Sequence, residues 1–285
     1  MLLKTQTLTI VAPEYLRSEI AAAISPDAGL SAALENGSLL LATDAEEAGD
    51  GPVIVVAPLL ERFVHSTKIK EDVFFSPTTI ASQQLAGFAN LSEQPQATVI
   101  AEKDLKERPE QATKTIAEMF DRSERARNEA RGQRAKPGAM QPNLPHAIQP
   151  LTMYAALPVP LGAAAWWSVF AFYTNDGYCP PSIDLMGRAR ILLHGPYIAL
   201  PNGVWRADIF FNLSADAAPY DYLVEFGAGG NFARIVYRAE TAGQQFLALI
   251  CTVREPALAE VRISLLRAAF HGELEMEGCW VTRME

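Results

Sequence analysis

Residues 204–212 read Val-Trp-Arg-Ala-Asp-Ile-Phe-Phe-Asn. In an extended chain Trp205, Ala207, Ile209 and Phe211 fall on one side, and Arg206, Asp208 and Asn212 on the other. A period of two specifies a strand with one buried face, and the aromatic side is the one to bury. The pattern spreads outward from this run. Tyr222, Val224 and Phe226 oppose Leu223 and Glu225. Ile235 and Tyr237 oppose Arg234 and Arg238, while Val261, Ile263 and Leu265 oppose Glu260, Arg262 and Ser264. Further runs lie at 189–193, 197–200, 246–253 and 273–283, with Gly and Asp/Asn clusters between several of them. Many short strands at even spacing predict an antiparallel, jelly-roll-like β-sandwich over 151–285. Pro201-Asn202-Gly203 has the chemistry of a tight turn, so the strands on either side of it read as a hairpin. Residues 246–253 (FLALICTV) are apolar on both sides, which places that strand either under two covers or at an interface.

Upstream the pattern changes. Residues 8–12 (LTIVA), 38–42 (SLLLA), 53–57 (VIVVA) and 97–101 (ATVIA) are short apolar runs of the kind that fill a sheet covered on both faces. Pro13 opens a helical pattern carrying Tyr15, Leu16, Ile20 and Ala23, with Pro26 beyond its end. Residues 77–89 and 109–131 are two more, the last with Ala112, Ile116, Met119 and Phe120 on one side. A small open α/β domain over 1–133 follows, and the fold class expected for the chain is α+β with two domains. Residues 121–134 are charged on every side. There Arg122, Arg125, Arg127, Arg131 and Arg134 alternate with Asp121, Glu124 and Glu129, the mark of a solvated helix end. The prolines of 134–150 give that stretch linker composition.

The formal net charge of -9 makes nucleic acid an unexpected partner. The first residues lack a basic segment followed by an apolar core, so the expectation is a cytoplasmic protein. Residues 151–173 carry no charge, but Pro158, Pro160 and the central Trp166-Trp167 read as buried strand and loop, and a membrane is not expected. Cys179, Cys251 and Cys279 are far apart and belong to no ligand spacing, so no metal site is expected. The chain contains no P-loop, no G-x-S-x-G and no H-E-x-x-H, and no cofactor is expected. Gly227-Ala-Gly-Gly-Asn lies between strands and reads as a hairpin loop. Of the scattered histidines, His194 and His271 each precede a glycine and are the pair placed to meet near a sandwich edge.

The polar side of the strands supplies the candidate binding residues: Arg206, Asp208, Glu225, Arg234, Arg238 and Arg262. Planar guanidinium groups beside carboxylates can grip sugar hydroxyls or acidic sugars by forked hydrogen bonds. They can equally pair across strands and only solubilise the sheet.

Two stretches, 194–206 (HGPYIALPNGVWR) and 268–283 (AAFHGELEMEGCWVTR), resemble the opening and closing strands of carbohydrate-binding-module-like β-sandwich domains attached to bacterial glycosyltransferases and other surface-polysaccharide proteins. The matching residues are turn and core residues, so the resemblance implies a fold and a glycan-related context without naming a ligand. The function expected is a non-catalytic binding or assembly protein whose partner is a glycan or another protein. Two alternatives stand beside it. One is an enzyme with its site at the strand ends near Ala12, Thr43 and Pro58, where Asp44 is the one residue to name by its location. The other is a structural homo-oligomer joined through 246–253.

Overall fold

The computed structural model describes residues 8–35, 39–48, 52–67, 76–125 and 149–285. The fold is α+β, in two compact units. Of the described residues, one unit comprises those within 8–67, 87–125 and 154–158, the other those within 76–86, 149–153 and 159–285. Residues 126–148, which hold Arg127, Arg131, Arg134 and most of the expected linker 134–150, lie outside the described residues. Among the described residues, no helix is long and apolar enough to cross a membrane.

The first unit runs β1 (Leu8–Val11), α1 (Arg17–Ile24), α2 (Ala28–Glu35), β2 (Leu39–Ala42), β3 (Val53–Ala57), α3 (Leu60–Ser66), the end of α4 (Pro77–Ser92) from Gly87 on, β4 (Ala97–Ala101), α5 (Glu102–Glu107) and α6 (Pro109–Arg125). Its four strands form a parallel sheet in the order β2-β1-β3-β4. Leu8, Ile10, Ile54 and Val56 pack with Leu16, Ile20, Leu105 and Ile116 of the helical layer in one apolar cluster. The four short apolar runs are therefore the four strands; the central pair β1 and β3 is covered on both faces, while the edge strands β2 and β4 are partly exposed, Leu40 to 44%. Three short helices, α2, α3 and α5, escape the sequence reading; α1 is as short as α2 but is flanked by Pro13 and Pro26, which mark its bounds.

The second unit holds β5 (Ala164–Ser168), β6 (Tyr173–Thr174), β7 (Gly177–Tyr178), β8 (Ile183–Asp184), β9 (Arg190–Leu200), β10 (Gly203–Leu213), β11 (Tyr222–Ala228), β12 (Asn231–Tyr237), β13 (Gly243–Val253), β14 (Ala257–Leu265) and β15 (Glu273–Arg283). The strands make two antiparallel sheets. A five-stranded sheet has the order β13-β10-β15-β5, with β8 on β15; a six-stranded sheet has the order β12-β11-β14-β9-β6-β7. The first half of α4 belongs to this unit, where the Ser82 hydroxyl accepts the Ala199 N–H at 2.8 Å.

The alternation assigns the inner faces correctly. Trp205, Ala207, Ile209 and Phe211 of β10 are completely buried, as are Tyr222, Val224 and Phe226 of β11. Trp167 meets Phe226 edge-on between the sheets, with ring centroids 6.4 Å apart, and Phe211 meets Tyr237 likewise at 6.0 Å. The buried Trp205 indole donates to the Pro201 carbonyl at 3.0 Å, so the core gains a large ring without stranding a polar atom.

Two expectations need correction and a third is narrowed. Pro201-Asn202-Gly203 does not close a hairpin: β9 pairs with β14 and β6 while β10 pairs with β13 and β15, so this turn carries the chain from one sheet to the other. The turn chemistry is the same in both cases, and only the pairing partners distinguish them. Strand β13, expected either under two covers or at an interface, is not the covered central strand, which leaves the interface alternative open. It is an edge strand whose outward Phe246 and Ile250 are about half exposed, 52% and 55%. Ile235, on the core side by alternation, is 40% exposed because β12 forms the edge of its sheet. The loop reading of 227–231 agrees with the structure: Gly229 and Gly230 turn the β11–β12 hairpin with φ of +58° and +83°.

Candidate functional site

Outward positions on the five-stranded sheet line up in rows across four strands. Ser168, Gly278, Phe210 and Phe246 form one row, and Trp166, Trp280, Asp208 and Ala248 the next. Ala164, Thr282, Arg206 and Ile250 form a third. Four aromatic rings thus stand on the solvent side of the sheet. Phe246 lies 5.2 Å from Phe210, Phe210 lies 6.3 Å from Trp166, and Trp166 lies 5.2 Å from Trp280. Trp280 remains 45% exposed. The path works because Gly278 has no side chain. A Cβ there would run into the six-membered ring of Trp166, so the indole beds on bare backbone and remains partly exposed. A register shift in β15 opposite Phe210 and Phe211 accompanies this bed, and Gly278 takes φ of +147°, which only glycine adopts freely.

Planar polar groups flank the rings. Arg206 Nε donates to Asp208 Oδ1 at 2.8 Å, two residues along the same strand face. At the opposite side, Asn212 Nδ2 donates to Glu275 at 3.4 Å and Gln244 Nε2 to Glu277 at 2.9 Å. Aromatic faces edged by amides, carboxylates and a guanidinium form an amphipathic surface, apolar in the middle and hydrogen-bonding at the rim.

Of the six residues singled out from sequence, Arg206 and Asp208 lie on this face. Three others meet on the six-stranded sheet, in a cross-strand row Arg234–Glu225–Arg262–His194–Tyr173–Tyr178. Glu225, only 6% exposed, is held by Arg234 at 2.8 Å and Arg262 at 3.6 Å, and Arg262 also grips Glu260 at 2.7 Å. His194 Nδ1 shares a 2.6 Å hydrogen bond with the Tyr197 hydroxyl, and Tyr197 reaches it from a left-handed backbone of φ +63°. Tyr173 stacks on both His194 and Tyr178. Arg238 stands apart, forked onto Asp221 at 2.8 and 2.9 Å, and it holds that carboxyl below the usual carboxylate range.

The sequence reading missed Trp166, Trp280, Phe210 and Phe246 as a set. A signal existed: adjacent residues on a strand face opposite ways, so one member of Trp166-Trp167 must point outward. The three cysteines are buried and free. Burial pushes the Cys179 and Cys251 thiols up to about 11, and Cys279 rises too, so they remain protonated and unreactive at neutral pH.

No family model matches the chain, and no curated protein matches it. Solved structures give distant likenesses. A family 61 carbohydrate-binding module in complex with β-1,4-galactotriose is 11% identical, covering 43% of this chain and 70% of its own, with a TM-score of 0.27. A structure described as family 16 carbohydrate-binding module 2 is 10% identical over 42% of this chain and 85% of its own, also with a TM-score of 0.27. The Gap123 glycosylation-associated protein complex from Streptococcus agalactiae is 11% identical over 98% of this chain and 50% of its own, again with a TM-score of 0.27. Scores this low carry no argument about function.

In the first unit, a polar cluster occupies the C-terminal ends of the parallel strands. Strand order reverses between β1 and β3, the place where such sheets take ligands. Glu102, at the end of β4, is completely buried. It accepts the Tyr15 hydroxyl at 2.7 Å, the Leu59 N–H at 2.9 Å, Arg62 at 2.7 Å and Lys106 at 2.9 Å. Burial raises its pKa, but these donors together outweigh burial and keep the carboxyl below its ordinary range. Arg62 also bonds Glu19 at 2.8 Å and lies over the Tyr15 ring at 4.7 Å. Both Glu102 oxygens are taken up within the cluster, which suits a structural keystone, while Glu19 Oε2 is buried without a hydrogen-bond partner. Asp44 accepts the Glu46 N–H at 3.2 Å and serves the short turn that follows it. Among the described residues, no group of three or more His, Cys, Asp and Glu is arranged to hold a metal ion.

Proposed function

We propose that the chain is a non-catalytic glycan-binding protein whose β-sandwich holds its ligand on the outer face of the five-stranded sheet. The observation that carries this reading is the Trp166 indole bedded on Gly278, beside Trp280, Phe210 and Phe246 on the solvent side. A pyranose ring has an apolar face of C–H groups and a rim of hydroxyls. The aromatic path matches the first, and Arg206, Asp208, Asn212 and Gln244 match the second. The test is affinity electrophoresis against a panel of soluble polysaccharides, with Trp166→Ala and Trp280→Ala alongside. Retardation of the parent protein by at least one glycan, lost in both variants with an unchanged circular dichroism spectrum, supports the reading. A parent protein that no glycan retards ends it.

A second reading, assembly, is favoured by the half-exposed Phe246 and Ile250 on the edge strand β13. Light scattering at micromolar concentration separates the two. A stable dimer that Phe246→Lys dissociates would place the interface on this edge.

A further inference from the structure

We infer, resting on the glycan reading, that this face selects neutral glycans and rejects those carrying carboxylates. Among the described residues, the charged groups on the outer side of the five-stranded sheet's strands are Asp184, Arg206, Asp208, Glu273, Glu275 and Glu277. Arg206 is the single cation among them, and Asp208 already neutralises it at 2.8 Å. Arg283, at the end of β15, turns inward: it is buried, and its Nη1 donates to the Val159 carbonyl at 2.6 Å. Glu275 and Glu277 stand beside the Phe210–Phe246 end of the aromatic path, each bonded by a neutral amide, Asn212 and Gln244. Glu273 accepts from the Ser182 hydroxyl. Among the described residues, none of these three glutamates has an ion-pair partner.

A hydroxyl-rich sugar loses nothing here, because carboxylates are good acceptors for its O–H groups. A uronate stacked on Phe210 or Trp166 brings its own carboxylate against two or three others, with no free cation to receive it. The structure therefore assigns specificity to charge and leaves the stacking surface tolerant. The opposition is electrostatic, so it is strongest at low salt, where the screening length is about 30 Å at 0.01 M, and fades where it is about 3 Å at 1 M.

The experiment uses pullulan, galactomannan and hydroxyethyl cellulose, each with its C6-oxidised form in which the hydroxymethyl has become a carboxylate, and polygalacturonate. Dissociation constants are measured at 10 mM and 500 mM salt for the full chain, for Glu275→Gln/Glu277→Gln, and for Glu14→Gln/Glu61→Gln as a control of equal total charge. The expected result is an oxidised form bound at least about tenfold more weakly than its parent polymer at 10 mM salt. That ratio should shrink at 500 mM salt and in Glu275→Gln/Glu277→Gln, and stay unchanged in the control. Oxidised polymers or polygalacturonate bound as tightly as neutral ones overturn the inference while sparing glycan binding itself. So does an equal response of the two double variants, which would trace the effect to net charge. Binding of no polymer in either series overturns the glycan reading and this inference together.

Discussion

The two outer faces of the sandwich are built from the same alternating strands and end up chemically opposite. On the six-stranded sheet, Glu225 pairs with Arg234 and Arg262 on its two neighbouring strands, Arg262 also pairs with Glu260 along its own strand, and His194 and Tyr173 stack at the end of the row, although Glu260 Oε2 and Arg262 Nε are buried without a hydrogen-bond partner. On the five-stranded sheet, four aromatic rings and the carboxylates of Glu275 and Glu277 face solvent without such pairing. A polar group that has found its partner within the fold has spent its recognition capacity. Forked Arg–carboxylate pairs are as good at ending interactions as at starting them, and only the register tells which.

The sharpest check of this contrast begins in the interior that both faces share. Trp205→Ala should cost about 3–5 kcal/mol of unfolding free energy in urea denaturation, because a fully buried ring leaves a cavity. Loss of under 1 kcal/mol would mean the two sheets do not close on that ring. On the paired face, Glu225→Gln should cost about 1.5–3 kcal/mol through its lost charged hydrogen bonds, with no change in glycan retention. The open face should behave in reverse. Trp280→Ala should cost only about 0.5–1.5 kcal/mol of stability through the lost Trp166 contact while weakening glycan binding about tenfold, or about 1.4 kcal/mol. Gly278→Ala sharpens this further: with the Trp166 ring forced off its bed, binding should fall as far as in Trp166→Ala.

The smallest effect is one of pH. Burial lowers the His194 pKa below its ordinary 6.5, with Glu260 opposing and Arg262 assisting. The unfolded chain then binds a proton more readily than the folded one, so stability is full above 6.5 and declines as pH falls below it. His194→Gln should flatten that part of a stability–pH curve. An unaltered slope would assign it to other groups.

Much of this architecture was legible from spacing alone. Alternation put Trp205, Ala207, Ile209 and Phe211 on one side of β10, and all four are buried. Continuous apolar runs marked the strands of the parallel sheet to within a residue. The candidate site was half legible. Arg206 and Asp208 were named, but Glu225, Arg234 and Arg262 were grouped with them although they lie on the other sheet. Spacing marks one outward tryptophan of the Trp166-Trp167 pair, but it does not join up the aromatic path, because its members come from four strands far apart in sequence. The Trp166 bed depends on a glycine more than a hundred positions away, and the pairing that joins them is Ser168 with Gly278.

What sequence by itself determined is the sidedness of each strand, because the pleat turns successive side chains to opposite faces whatever the strand pairs with. Tertiary structure alone decided which sheet each strand joined. That choice made Pro201-Asn202-Gly203 a crossing between sheets, put β13 at an edge and gathered four distant aromatics on one surface. Pairing is a contact between residues remote along the chain, and local patterns of apolar and polar residues leave it undetermined.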